Sequence, residues 1–322
     1  MSSSEFIPEI GAVEGATVHP ARQVAAGFSW TECPRWHEGT FWFTDMHNTC
    51  LKTIDAQGTV STVLDASPRA ADGTHVVLGG FGWLPDGRLI VNSMHEKLVL
   101  VWDGDTLEVY ADLTELSPNG AINDMVVDAD GRAYVTHMGF DLWAGESSVP
   151  VPIIVIEPDR AARLVEEIGE FRVPNGIAVS ADGTKLYVAQ AGGSTVSVVD
   201  RAADGSLSNA RVFAELPFLP DGICLDAEDA VWAAGSAWGQ VGEGFGPVAN
   251  YLARADANGI TDTVTIDPRV GMPIAPVLGG PERRTLYVAV GTEAFDTERS
   301  AREGRGTIWT AEVPVGGGTA RP

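Results

Sequence analysis

The chain has 322 residues, 44% of them hydrophobic, and its 44 acidic against 21 basic side chains give a formal net charge of −23. So acidic a surface repels phosphate backbones and anionic lipid, which leaves neither nucleic acid nor a membrane as an expected partner and points to a small molecule. No run of eighteen apolar residues occurs, which argues against a membrane-spanning helix and for a globular chain with a large core.

Taken in order, the chain opens on MSSSEFIPEI, which lacks the basic stretch and apolar run of a secretory signal, so a cytoplasmic location is expected. Residues 1–20 read as an N-terminal arm, 21–315 as a single domain, and the glycine-rich 316–322 as a flexible tail. Cys33, Cys50 and Cys224 are too few and too scattered for a disulfide framework or a cysteine metal site. Within the domain a polar turn followed by an apolar strand recurs. The copies are His37-Glu38-Gly39 before TFWFTD, Pro85-Asp86-Gly87 before RLIVNS, Ala129-Asp130-Gly131 before RAYVTH, and Ala181-Asp182-Gly183 before TKLYVAQ. Two more diverge, Ala227-Glu228-Asp229 before AVWAAGS and Pro281-Glu282-Arg283-Arg284 before TLYVAVG.

The copies are spaced by about 45–55 residues, the period of a propeller blade. Each is followed by short β-branched runs such as IIVIE and TVSVVD, which are strands rather than helices and supply the outer half of a blade. The sequence therefore predicts an all-β, six-bladed β-propeller with four antiparallel strands per blade. The last blade is expected to borrow its fourth strand from Gln23 to Phe28, closing the ring. Monomer and homodimer are both compatible with this architecture.

The first strand of a blade is innermost, so the residue that opens each copy faces the central channel. Counting back seven from the first acidic turn residue reaches Gly79, Asn123, Asn175, Asp221 and Ala275 in copies two to six, and counting back six reaches Glu32 in the first. Two carboxylates and two amides converging at one level of a channel suit a hard divalent cation, Ca²⁺ before Mg²⁺, Mn²⁺ or Zn²⁺. Without one, Glu32 and Asp221 would repel each other. Asn-Gly and Asp-Gly are commonly only turn formers. That explanation does not reach Glu32 and Asn123, which precede no glycine and yet fall in line.

The segments TECPRW, INDMVVDADGRAYV, VPNGIAVSADGTKLYV, LPDGICLDAEDAVW and VLGGPERRTLYV resemble the SMP-30/gluconolactonase/LRE-like family of six-bladed propellers. The resemblance runs from about Trp30 to Glu312 and implies a divalent-metal lactonase with Glu32, Asn123, Asn175 and Asp221 as metal ligands. Sugar-lactone members carry Arg two residues before the first metal-binding Asn, where this chain has Ala121, which argues against a simple aldonolactone as substrate.

At the ends of the second strands, His47, His95, His137 and Gln190 are candidates for a polar wall that orients the substrate. Asp221 is the expected general base and His137 its alternate. Residues 138–150 and the glycine-rich Ser236 to Val248 read as insertions over the same face, the first a candidate lid containing Phe140, Leu142 and Trp143. The reaction expected is opening of a cyclic ester. The competing readings are a phosphotriester hydrolase or a metal-enolate isomerase on the same parts, and a non-catalytic binding propeller.

Overall fold

The computed structural model describes residues 8–70, 76–142, 144–241 and 244–321. Strands dominate, and six sheets form a ring in the order of the sequence, each with four antiparallel strands running from the channel outward, the fifth joined by two further strands in parallel. The innermost strands are Thr31–His37, Leu78–Trp83, Ile122–Val127, Pro174–Val179, Leu219–Leu225 and Met272–Gly279, each in contact with the next. The six-bladed propeller read from the repeats is the observed fold. Among the described residues the single α-helix is Thr297–Glu303, and no helix is long and apolar enough to cross a membrane.

The repeated polar turns join the first two strands of each blade. Asp128 shows the mechanism: its Oδ1 accepts from the backbone N–H groups of Asp130 and Arg132 at 2.8 and 2.9 Å, while Gly131 supplies the left-handed residue at φ 88°. Blades pack face to face through alternate residues of their strands. Between blades three and four, for instance, Val126, Tyr134, Ile177, Leu186 and Val188 form one cluster, each at most 3% exposed. Burying such side chains stabilises by about 1.5–3 kcal/mol each, which is why the inner strands read as nearly continuous apolar runs.

Ring closure follows the expectation. Arg22–Phe28 is the outer strand of the sixth blade and pairs antiparallel with Gly306–Glu312. The described part of the N-terminal arm is tied down: Glu9–Ile10 runs parallel to Gly244–Asp256, and Thr17–Pro20 extends blade five beside Gly259–Thr265. Both segments satisfy backbone groups that an open sheet edge would leave unpaired. The described part of the tail crosses the turn face of the ring. Gly316 accepts from Ala227 N–H, Gly317 donates to the Arg283 carbonyl, and Arg321 pairs with Val179.

Candidate active site

All six innermost strands carry a register irregularity near the channel end. It falls between Glu32 and Arg35, Leu78 and Phe81, Ile122 and Met125, Pro174 and Ile177, Pro220 and Ile223, and Pro273 and Ala275. An extra residue at such a bulge bends the strand and re-aims a side chain. The Asn-Gly and Asp-Gly dipeptides therefore lie in bulges rather than in turns, and their glycines have a steric cause. A Cβ on Gly176 would sit 2.6 Å from Ile223 N, and one on Gly222 would sit 2.3 Å from the Cβ of Ala275. Neighbouring inner strands approach too closely there for a side chain.

This geometry also corrects the register of blade six. Ala275 packs against Gly222 and belongs to the glycine position, while Ile274 lines the cavity at the axial position. The stretch between bulge and turn is one residue longer in this blade, so counting back from Glu282 lands one place late.

Glu32, Asn123, Asn175 and Asp221 line one cavity of about 420 Å³. Three of the four backbones are pinned from the second strands: Thr44 donates to the Glu32 carbonyl at 3.1 Å, Asn92 to that of Asn123 at 2.8 Å and Thr136 to that of Asn175 at 2.9 Å. Burial pushes the Glu32 carboxyl well above the usual range, and the charges of Asp221 and Asp124 add to it, against a backbone hydrogen bond from Cys33. Burial likewise pushes Asp221 up to about 7, opposed by its hydrogen bond with Asn175.

Beneath them lies a pair that sequence reasoning missed. Arg35 donates to Asp124 Oδ1 at 2.7 Å and to the carbonyls of Pro34, Phe81 and Met125, so its guanidinium is spent on the floor of the site. Its only signal in the sequence was adjacency: Arg35 stands three residues after Glu32 within TECPRW, and Asp124 follows Asn123.

The donor set fits a divalent cation. Two half-buried carboxylates line one cavity and are driven towards protonation, and the Asn123 Nδ2 is buried with no hydrogen-bond partner among the described residues. No cluster of three or more His, Cys, Asp or Glu suited to a metal occurs among the described residues, so a cation here depends on the amide oxygens.

Of the expected polar wall, His47 and His95 line the cavity, and the His47 ring stacks on Trp30 with centroids 6.3 Å apart. His137 and Gln190 are not among the lining residues. The ladder explains the difference. Asp45, Ser93, His137 and Gln190 are the equivalent residues, paired with Thr31, Leu78, Ile122 and Pro174, whereas His47 and His95 stand two places further on. Side chains at the paired position fasten loops. His137 is 3% exposed, its Nε2 donates to the Pro152 carbonyl at 2.8 Å, its Nδ1 meets Ser117 Oγ at 3.0 Å, and burial lowers its pKa. The Gln190 amide bonds Ser197 and the backbone N–H of Arg172.

The rest of the wall is largely apolar, with Trp30, Met46, Met94, Met272 and Ile274 prominent. Ala121, 6% exposed, packs in the same cluster as Trp30 and Met94, so a methyl group stands where an arginine was sought. Three insertions rim the opening. Met138 and Leu142 come from the first expected one, whose Trp143 lies outside the described residues, and Ser236 and Trp238 come from the second. The third, unforeseen, follows the second strand of blade six and contributes Ala294, Phe295 and Thr297, with Phe295 57% exposed. Its short helix was legible in Asp296, which caps it by accepting from Arg299 N–H at 2.9 Å, and in Gly304 beyond its end.

Residues 30–292 match the sequence pattern described as the SMP-30/Gluconolactonase/LRE-like region. The chain belongs to the SMP-30/gluconolactonase/LRE-like family. It is similar to regucalcin of Xenopus laevis, 24% identical over 84% of this chain and 86% of the relative. It is also similar to the pentonolactonase XacC of Haloferax volcanii, 27% identical over 85% and 84%. Among solved structures, luciferin-regenerating enzyme superposes with a TM-score of 0.71 at 21% identity, covering 92% of this chain and 96% of that one. The calcium-binding protein regucalcin of Agrobacterium tumefaciens gives 0.70 at 20% identity, covering 94% and 97%. At such identities these two structural matches support the fold alone.

Proposed function

We propose that this family member is a divalent-cation-dependent lactonase whose substrate carries an apolar substituent rather than a polyol chain. Lactonase activity is what the family and its named relatives indicate. The cation dependence rests on one observation: four blades deliver two carboxylates and two amides to a single cavity, with no basic side chain forming an ion pair with either carboxylate among the described residues; the apolar substituent rests on the wall of Trp30, Met46, Met94, Met272 and Ile274.

Glu32, Asn123, Asn175 and Asp221 would hold the cation, with Ca²⁺ the first choice for oxygen donors and Mg²⁺, Mn²⁺ or Zn²⁺ the others to try. When bound, such an ion polarises the ester carbonyl and stabilises the negative charge that develops on its oxygen. Asp221 takes the proton from the attacking water. Asn175 orients its carboxylate, neither asparagine can accept a proton, and the Glu32 carboxylate is engaged by the Cys33 N–H at 2.9 Å. The same Asp221 then returns the proton to the departing ring oxygen as the acyl C–O bond breaks, leaving a hydroxy acid. His137, with both ring nitrogens engaged, is assigned to holding its loop. His47 and His95 face the cavity and orient the ester oxygens, and the apolar wall takes the substituent and limits water.

The test is a panel of alkyl-substituted lactones, aldonolactones and aryl phosphotriesters, assayed with each cation and with chelator. Alkyl lactones should be opened best, and Asp221→Asn should cut turnover by about 10³-fold while the fold persists. Turnover of phosphotriesters alone would replace this reading by the phosphotriesterase one. An unaffected Asp221→Asn protein would favour a binding platform.

A further inference from the structure

The opposite, turn end of the channel holds a second cavity of about 600 Å³ that shares no lining residue with the candidate active site. Three of its residues are arginines, in a chain whose acids outnumber its bases by 44 to 21. Arg35 is committed to Asp124. The other two, Arg283 and Arg321, form no ion pair with a carboxylate among the described residues. The exposed Arg321 side chain donates, among the described residues, to the carbonyls of Val127 and Asp128, at 3.2 and 3.3 Å. The Nε of Arg283 is buried with no hydrogen-bond partner among the described residues. Of the lining acids, Asp128 is already bonded to Arg201, and Glu38 is an exposed residue of the first polar turn.

The backbone gives an independent reason to single out Arg283. It occupies the left-handed turn position, at φ 56°, that glycine fills in blades two, three and four at φ 88°, 88° and 72°. A side chain there costs about 1 kcal/mol relative to glycine, yet this blade carries the longest cationic one. The tail accommodates it: Gly317 donates to the Arg283 carbonyl, and a Cβ on Gly317 would lie 3.1 Å from the guanidinium. The same tail brings in Arg321. Trp36 and the stacked pair of His37 and Trp83, with ring centroids 3.8 Å apart, complete the lining.

We propose that this cavity is a second binding site, for a small aromatic oxyanion whose carboxylate or phosphate is held by Arg283 and Arg321 and whose ring lies among Trp36, His37 and Trp83. A partly buried guanidinium without a counter-charge is unfavourable, and a planar oxyanion matches its fork of donors. Aromatic side chains beside it select a ligand with a flat ring.

Phenyl phosphate titrated calorimetrically into the full-length protein with its cation present tests this. Saturable binding is expected, weakened about tenfold or more in both Arg283→Gly and Arg321→Gln and unchanged in Asp221→Asn. Arg283→Gly should also keep or raise the melting temperature, because glycine suits that turn; a side chain kept for structural reasons would give a fall. Arg321→Gln alters a residue outside the six blades and keeps the test valid should the turn variant fold poorly. Absence of saturable binding, binding indifferent to both arginine variants, or binding lost in Asp221→Asn would each overturn the proposal, the last by moving the ligand to the other cavity.

Discussion

Stripping divalent cations should make the protein's stability fall as pH rises from about 4 to 7, opposite to the usual behaviour of carboxylates. Asp221 stands at about 7 in the folded, cation-free protein against an ordinary value of 3.8. Below pH 3.8 folded and unfolded chains both hold the proton, and the group contributes nothing to the difference. Between the two values the folded state holds more protons than the unfolded one, so stability drops with each step of pH. Above about 7 the loss is complete, at most about 4 kcal/mol for a displacement of this size. Glu32, raised by burial and by Asp221, acts in the same direction. A cation that takes the ionised carboxylates should restore stability at pH 8 and much less at pH 5, where protons compete for the same oxygens. Melting temperatures followed by circular dichroism, with chelator and with excess Ca²⁺, should therefore diverge by about 5–10 °C at pH 8 and converge at pH 5. Because the net charge of −23 also opposes folding at high pH, Asp221→Asn is the control, and it should flatten the chelated curve. Chelated protein as stable at pH 8 as at pH 5, or an Asp221→Asn curve parallel to wild type, would refute the reasoning.

Other substitutions probe the parts that build the site. Gly222→Ala forces a methyl to within 2.3 Å of Ala275 and should destabilise by about 1–3 kcal/mol in denaturant unfolding, with cation affinity falling alongside as the bulge shifts. Arg35→Gln leaves Asp124 charged and unpaired beneath Glu32 and Asp221; a loss of about 3–5 kcal/mol is expected, and Asp124→Asn in the same chain should recover part of it. Phe295→Ala, at a residue 57% exposed, should leave the melting temperature unchanged while raising KM for an alkyl lactone several-fold with little effect on kcat, a split that steady-state kinetics resolves. Ala121→Arg should destabilise by about 1–3 kcal/mol by overfilling the cluster around Trp30 and Met94, and aldonolactone assays should show no gain, because the cluster the side chain would enter is apolar.

What was legible in the sequence was whatever recurs at fixed spacing. Hairpins are local, so six polar turns at one period disclosed six blades, and the strand from Gln23 to Phe28 was the one segment left to close the last. The four candidate ligands were legible for a subtler reason: bulge and turn lie on one strand, eight residues apart from axial position to left-handed turn residue in blades two to five, so a count along the chain stands in for a level along the channel. Where blade six lengthened that stretch by one residue, the same count mistook Ala275 for Ile274. The rim did not yield to counting, because His95 lies in the turn beyond its strand, two residues past the loop-fastening position that His137 occupies as the last residue of its own strand. Least legible were groups joined only through space. Arg35 and Asp124 are 89 residues apart in the chain, and Arg283 and Arg321 line one cavity because the tail returns across the turn face. Conserved spacing within one strand thus locates the donors, and contacts between blades determine their charge. The two carboxylates are the groups on which both act, since the bulges bring Glu32 and Asp221 together and the Arg35–Asp124 pair beneath supplies a negative neighbour but no free positive one. Two such carboxylates repel each other when ionised, and a bound divalent cation would offset that repulsion.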